Sequence, residues 1–218
     1  MPGNFHPALG ADATVGEGPR VAPAPREGAP LLLHACCGPC AIMPALRLLD
    51  AGYAVTLWYM NPNIHPLTEY LKRREAVGEC AVRLGVPVLY DDAAWDVRAW
   101  LGAPEARELP PTRCEWCCKS RVRAAAIAAR ALGFAHFTTS LLYSRYQPHE
   151  AIMAEGRAIA ASGGPEFVYG DFREDWQAGI DRSKDWDLYR QPYCGCIFSE
   201  ADRYHKKLAR CIREAGQN

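Results

Sequence analysis

The residues of this chain best suited by type and spacing to do chemistry are its cysteines, ten in 218 residues. Eight fall into three groups: Cys36-Cys37-x-x-Cys40, Cys114-x-x-Cys117 with Cys118 directly after it, and Cys194-x-Cys196. Two thiolates at such spacings can reach one metal ion or one cluster. A single pair is weak evidence of that; three groups in one chain are strong evidence. Structural zinc needs four ligands in a closed tetrahedron, and the supply here exceeds one such site. Adjacent cysteines and surplus ligands suit a [4Fe–4S] cluster with a second metal ion, iron or zinc, beside it. Zinc alone and a thiol–disulfide redox pair are the competing readings of the spacing. Cys80 and Cys211 each stand alone near an apolar helix stripe and read as packing residues. Cys118 reads either as a ligand or as packing for the helix that follows it.

Disulfides, the other use of so many cysteines, belong to oxidising compartments. Residues 1–29 lack the basic start and long apolar core of a secretory signal. No run approaches the eighteen apolar residues of a membrane span. The sequence therefore predicts a cytoplasmic protein with reduced thiols and no membrane partner. Lys plus Arg equals Asp plus Glu at 25 each, so any surface for a polyanion must be a local patch. Arg47, Lys72-Arg73-Arg74, Lys119, Arg121, Arg123, Lys206-Lys207, Arg210 and Arg213 are the basic runs. Each reads as a solvated helix face, or together as a phosphate-binding rim.

The elements that must position these cysteines follow from periodicity. Residues 1–29, rich in Ala, Gly and Pro, read as a flexible tail, and residues 30–218 as one catalytic α/β domain. Leu31-Leu32-Leu33-His34 predicts a buried strand, Cys36 to Cys40 a turn, and 41–50 a helix stopped near Gly52. Strands are expected at 55–60, 86–90 and 134–138. Helices are expected at 66–84, 119–132, 148–162, 171–182 and 199–215. Strands alternating with helices argue for a mainly parallel sheet with helices on both faces. Ligands of such sheets bind beyond the carboxyl ends of the strands. That places the Cys36–Cys40 turn at the site, on a helix N-terminus that favours thiolates.

Several motifs together resemble the QueH-type epoxyqueuosine reductases, the kind that does not use cobalamin. They are Leu32-Leu33-His34-Ala35-Cys36-Cys37-Gly38-Pro39-Cys40, Asn61-Pro62-Asn63-Ile64-His65-Pro66 with Glu69-Tyr70, and Arg113-Cys114-x-x-Cys117 with Arg121. Thr139-Ser140-Leu141-Leu142 with Ser144, Tyr146-Gln147 and His149-Glu150 follows, then Asp171-Phe172-Arg173. The last is Tyr189-Arg190-Gln191 with Tyr193-Cys194-Gly195-Cys196-Ile197-Phe198-Ser199. The resemblance covers about residues 30–205. It departs from the family pattern at Cys118, where an aromatic is usual, at Arg145, where proline is usual, and in the tail.

The resemblance implies a fold related to the adenine-nucleotide α-hydrolases, and a [4Fe–4S] cluster next to a second metal ion. It also implies a substrate, epoxyqueuosine at the wobble position of a tRNA, whose epoxide oxygen is removed with two electrons. An unidentified low-potential donor must supply these electrons. On this basis Cys37, Cys114, Cys117 and Cys194 are expected to hold the cluster, leaving Cys36, Cys40 and Cys196 for the second metal. His34 reads as a proton donor or as a satisfied core histidine. His65, in a proline-bounded loop, reads as a substrate contact or as loop packing. Tyr146, Gln147, His149 and Glu150 are candidates to hold a flipped base, or to form a helix cap with its buried network. Asn63 and Ser140 are further substrate-contact candidates. Arg173 is expected to hold a phosphate or to pair with Asp171.

Two rival functions make different predictions. An ATP-dependent tRNA-modifying enzyme of the related hydrolase fold needs a Ser/Gly-rich phosphate loop after the first strand. That position holds Cys36-Cys37-Gly38-Pro39-Cys40. A zinc-stabilised RNA-binding module predicts a colourless protein without redox activity.

Overall fold

The structure is a computed structural model, and it describes residues 21–215. The first twenty residues of the expected tail lie outside the described residues. Residues 21–28 lie within them, and Val21 and Ala24 pack against the core. The Ala24 amide also donates to the carbonyl of Ala51 at 2.8 Å.

The elements are β1 (Ala29–His34), α1 (Gly38–Asp50), β2 (Tyr53–Tyr59), α2 (Leu67–Leu84), β3 (Val88–Tyr90) and α3 (Val97–Gly102). They continue as α4 (Thr112–Ala131), β4 (His136–Thr139), α5 (His149–Ala161), β5 (Glu166–Phe167), α6 (Trp176–Asp185) and α7 (Ile197–Ala215). The strands form one sheet in the order β3-β2-β1-β4-β5, and every neighbouring pair is parallel. The expected architecture is thus the observed one. Leu31, Leu32 and Leu33 are completely buried, as an apolar run covered on both faces requires.

Connectivity fixes where a site can form. From β1 the chain steps to β2 and β3 on one side, then crosses over to β4 and β5 on the other. Right-handed crossovers put α1 and α2 on one face, and α4 and α5 on the opposite one. In agreement, α1 packs on α2 and α6, while α4 packs on α5. The order reverses between β1 and β4. Their carboxyl ends diverge into a crevice there, the switch point at which such sheets bind ligands. Gly38 keeps the first turn of α1 tight against α2, because a Cβ there would collide with the carbonyl oxygen of Ala76.

Four elements differ from expectation. The helix expected at 119–132 begins at Thr112, directly after Pro111, so Cys114, Cys117 and Cys118 all lie on its first two turns. Its N-terminal part carries cysteines rather than an apolar stripe, which hid it. Residues 171–182 are not one helix. Asp171 caps a single 3-10 turn by accepting from the Arg173 amide, and α6 starts afresh at Trp176. Finally, β5 has two residues and α3 six, too short to show a period. Among the described residues, no helix is long and apolar enough to cross a membrane.

Candidate metal centre

The turn after β1 brings Cys36, Cys37 and Cys40 together, with all three sulfurs within 4.8 Å of one another. The Cys36 and Cys37 sulfurs are 3.9 Å apart. Cys37 is the N-cap of α1, and its sulfur accepts from the Cys40 amide at 3.3 Å. Ser140, just past β4, accepts from the Cys36 amide at 2.9 Å and donates its hydroxyl to the Cys36 sulfur at 3.3 Å. The Gln191 side-chain amide donates to the Cys37 sulfur at 3.0 Å and faces that of Cys40 at 3.5 Å. Hydrogen bonds from the Cys37 and Cys40 thiols hold the Cys36 thiol well below the usual cysteine range. The counterpart is that Cys37 is pushed up by burial and by Cys36, and Cys40 by its bonds to the other two thiols.

A second thiol group lies on α4 and on the segment before α7. Cys114, Cys117, Cys194 and Cys196 interact electrostatically with one another, and burial pushes the Cys114 and Cys117 thiols up. Cys118 is buried, its thiol raised to about 12 by burial. Its sulfur donates to the Gln147 side-chain oxygen at 3.1 Å, while the Gln147 amide donates to the Cys194 sulfur at 3.4 Å. No cysteine among the described residues is in a disulfide.

A buried cation sits between the two groups. Arg121 is 3 % exposed. It bonds the Cys117 carbonyl at 3.0 Å and lies 3.6 and 3.5 Å from the Cys117 and Cys118 sulfurs. Burial opposes its charge, but the thiols of Cys117 and Cys118 more than offset that and keep it protonated. A buried guanidinium without anionic neighbours is strongly destabilising. Besides the Cys117 carbonyl, the groups facing it are the Cys117 and Cys118 sulfurs, so a thiolate-bound centre is the matching anion. Reduced soft donors in two groups, with a buried cation beside them, fit thiolate-ligated metal centres.

A cavity of about 450 Å³ opens on this arrangement, lined among others by Cys36, Cys40, Arg121, Gln191 and Cys194. Tyr146 and Gln147 line it as well. Tyr146 is 85% exposed and sits edge-on to Trp176, itself stacked on Tyr143 at 5.2 Å.

Other expected site residues lie elsewhere. His34 is fully buried between strands. Its Nε2 contacts the Met60 carbonyl at 3.1 Å, which can only accept, so that nitrogen carries the proton. Its Nδ1 then accepts from the Thr139 hydroxyl at 2.8 Å. Burial, helped by Arg121, lowers its pKa to about 4. It ties β1 to β4 as a neutral ring. His65 is buried against Trp100, and its backbone holds the cysteine-bearing loop: its amide donates to Gly195 and its carbonyl accepts from the Tyr193 hydroxyl. Asn63 is buried beside Gly195, whose φ of 141° needs a glycine. His149 bonds the Tyr169 hydroxyl at 3.1 Å, and Arg173 pairs with Asp171, both away from the cavity lining. The site role of Gln191 was not read from sequence, since a neutral amide carries no signal of its own. Arg121 had one: it lies three and four residues after Cys118 and Cys117, on the same helix face.

Fold and site define an α/β protein with a cysteine-built centre at the switch point of a parallel sheet. The family model described as "Epoxyqueuosine reductase QueH" matches residues 31–202, and the chain belongs to that family. It is 32% identical to epoxyqueuosine reductase QueH of Dehalococcoides mccartyi, over 81% of this chain and 95% of that one. It is 35% identical to the Thermotoga maritima protein of the same name, over 85% of this chain and 97% of that one. Among solved structures, the U34-tRNA thiolase NcsA from Methanococcus maripaludis with its [4Fe-4S] cluster aligns at 11% identity and a TM-score of 0.48, over 81% and 64% of the two chains.

Proposed function

We propose that this protein reduces epoxyqueuosine in tRNA to queuosine, with a [4Fe–4S] cluster and a second metal ion held by its two thiol groups. The observation that carries the reading is one cavity lined by Cys36 and Cys40 of the first thiol group and Cys194 of the second, in a chain of the QueH family. Two electrons and two protons convert the epoxide to the cyclopentene and water. Bound metal supplies a Lewis acid for the epoxide oxygen and a store of low-potential electrons, which no side chain supplies. The electrons come from an external low-potential reductant.

Spacing favours a different division of ligands from the one drawn from sequence. Bonds of about 2.3 Å from one tetrahedral ion place its thiolates roughly 3.8 Å apart. The tight group Cys36, Cys37 and Cys40 would hold such an ion. Among the described residues no other group of three is as tight, so Cys114, Cys117, Cys194 and Cys196 suit the wider cluster. The cavity takes the flipped base, Tyr146 offers a ring to stack on it, and Gln147 orients Cys194.

The test uses anaerobically prepared protein, a strong reductant and tRNA carrying epoxyqueuosine. Expected are visible absorbance, iron and sulfide, and a nucleoside one oxygen lighter by mass spectrometry, with neither ATP nor cobalamin added. A colourless, zinc-only protein that is fully active sinks the cofactor assignment. Failure of the cluster-replete protein to turn over until ATP is supplied shifts the reading to an ATP-dependent tRNA modification.

A further inference from the structure

We infer that the basic face of α7 is a docking surface for the phosphate backbone of an RNA stem. For the identity of that RNA, the tRNA substrate, the inference rests on the function proposed above; for the surface itself it rests on α7 alone.

The family match ends at residue 202, so most of α7 lies beyond it. None of its nineteen residues is buried. Its sequence nevertheless separates two faces sharply. Ile197, Ala201, Tyr204, Leu208 and Ile212 recur at helical spacing on one side. Arg203, Lys206, Lys207, Arg210 and Arg213 recur at the same spacing on the other. Of these five cations only Arg210 has an acidic partner among the described residues, Glu214 at 3.6 Å. Among the described residues no salt bridge joins the other four, and the helix carries three acidic residues, Glu200, Asp202 and Glu214, against these five cations.

The stripe is also placed to meet a substrate. Arg203 lines the mouth of the cavity together with Arg190 and Tyr193, and the Tyr204 ring lies edge-on to that of Tyr193. From Arg203 to Arg213 the helix rises about 15 Å away from that mouth. A nucleotide flipped into the cavity leaves its flanking phosphates at the rim. The stem attached to them needs positive charge further out, along a line leading from the opening. A chain with no net charge must concentrate its cations to attract a polyanion, and α7 is such a concentration. The apolar face does not offer this complementarity.

The experiment uses metal-loaded protein, a tRNA carrying epoxyqueuosine, its anticodon stem–loop and the free epoxyqueuosine nucleoside. Lys206, Lys207 and Arg213 are replaced together by Glu, and separately by Gln; Arg203 is left intact. The Glu variant is expected to bind tRNA at least about tenfold more weakly at 0.1 M salt, with a salt slope shallower by roughly two to three. The Gln variant should fall between. Visible absorbance, helix content and any turnover of the nucleoside should match those of the unaltered protein. Leu208→Ser with Ile212→Ser, on the opposite face, should leave RNA affinity unchanged. Equal affinity of all proteins for tRNA overturns the inference. So does a result in which the basic-face variants change only the oligomeric state, which assigns α7 to self-association. Salt-dependent binding of plain tRNA scores the surface even if no reduction occurs, so failure of the proposed activity is distinguishable from failure of the docking surface.

Discussion

The guanidinium of Arg73, on the second turn of α2, donates to the carbonyl oxygen of Cys194 at 2.8 Å. It also reaches the Tyr193 carbonyl at 2.9 Å, and its Nε donates to Glu69 at 2.7 Å. Glu69 accepts in turn from the Tyr189 hydroxyl at 2.5 Å. Residues 189–194 have no regular structure, so a buried ion pair on α2 holds them in place. The planar fork of donors reaches all three acceptors in a fixed geometry.

Replacing Arg73 by Ala leaves Glu69 charged and buried without its partner. Breaking a buried pair from one side costs about 3–5 kcal/mol. For a chain of this size that lowers the melting temperature by roughly 6–20 °C. Iron content should fall as well, because Cys194 and Cys196 lose their support. Arg73→Lys keeps the charge and should recover part of the stability but less of the iron. Calorimetry and metal analysis check both. An Arg73→Ala protein with normal iron content contradicts the role given to this contact.

The two thiol groups predict a ranking of cysteines. Ala at position 37, 114 or 117 removes a ligand and should abolish retention of the corresponding metal and the activity. Cys80 is fully buried on α2, away from either group, and Cys211 is exposed on α7. Ala at position 80 or 211 should keep iron and sulfide, with at most a modest packing loss at Cys80. Loss of iron from Cys80→Ala, with Cys114→Ala still replete, contradicts the grouping.

The sheet and the first thiol group were legible because β1 and α1 obey simple rules. Leu31-Leu32-Leu33 is a short apolar run followed by a turn signal and so reads as a buried strand, which puts the turn after it at the sheet's carboxyl edge. The division of the cysteines was not legible, because separations along the chain do not say which groups meet in space. The resemblance groups Cys37 with Cys114 and Cys117, while in space its sulfur lies within 4.8 Å of those of Cys36 and Cys40, which is what motivates the alternative division proposed above. His34 illustrates the limit from the other side. Its position next to Cys36 leaves proton donor and core histidine equally open, and its two partners, the Met60 carbonyl just past β2 and the Thr139 hydroxyl on β4, are visible only once β2 and β4 flank β1. The first turns of α4 escaped because Cys117 and Cys118, which pack against apolar clusters there, read as candidate ligands rather than as an apolar stripe.

Gln191 offers a test of the tight thiol group. Its amide donates to Cys37, and its oxygen is buried without a partner among the described residues. Side chains that bond a ligand atom orient it, and their loss typically costs 10–100-fold in metal affinity. Gln191→Leu keeps the bulk and removes the donor. It should release metal to a competing chelator at roughly tenfold lower chelator concentration or less. An unchanged competition curve separates Gln191 from the metal site.

His149 sets a pH dependence of stability. Burial, and next the nearby Arg173 charge, lower its pKa from the ordinary 6.5. Asp171 and Glu150 act in the opposite direction without reversing the shift. One ring nitrogen contacts the Tyr169 hydroxyl and the other is buried without a partner among the described residues. The folded state therefore binds this proton less readily than the unfolded chain. Above pH 6.5 both states are neutral at this ring and it costs nothing. As pH falls below 6.5 the unfolded chain takes up the proton first, so stability drops until the folded pKa is passed. Melting temperatures measured from about pH 7.5 down to about pH 5 should fall, and His149→Gln should make that fall shallower by removing one proton from the linkage. A variant with the same slope as the unaltered protein shows that the ring is solvated and titrates normally in the folded state.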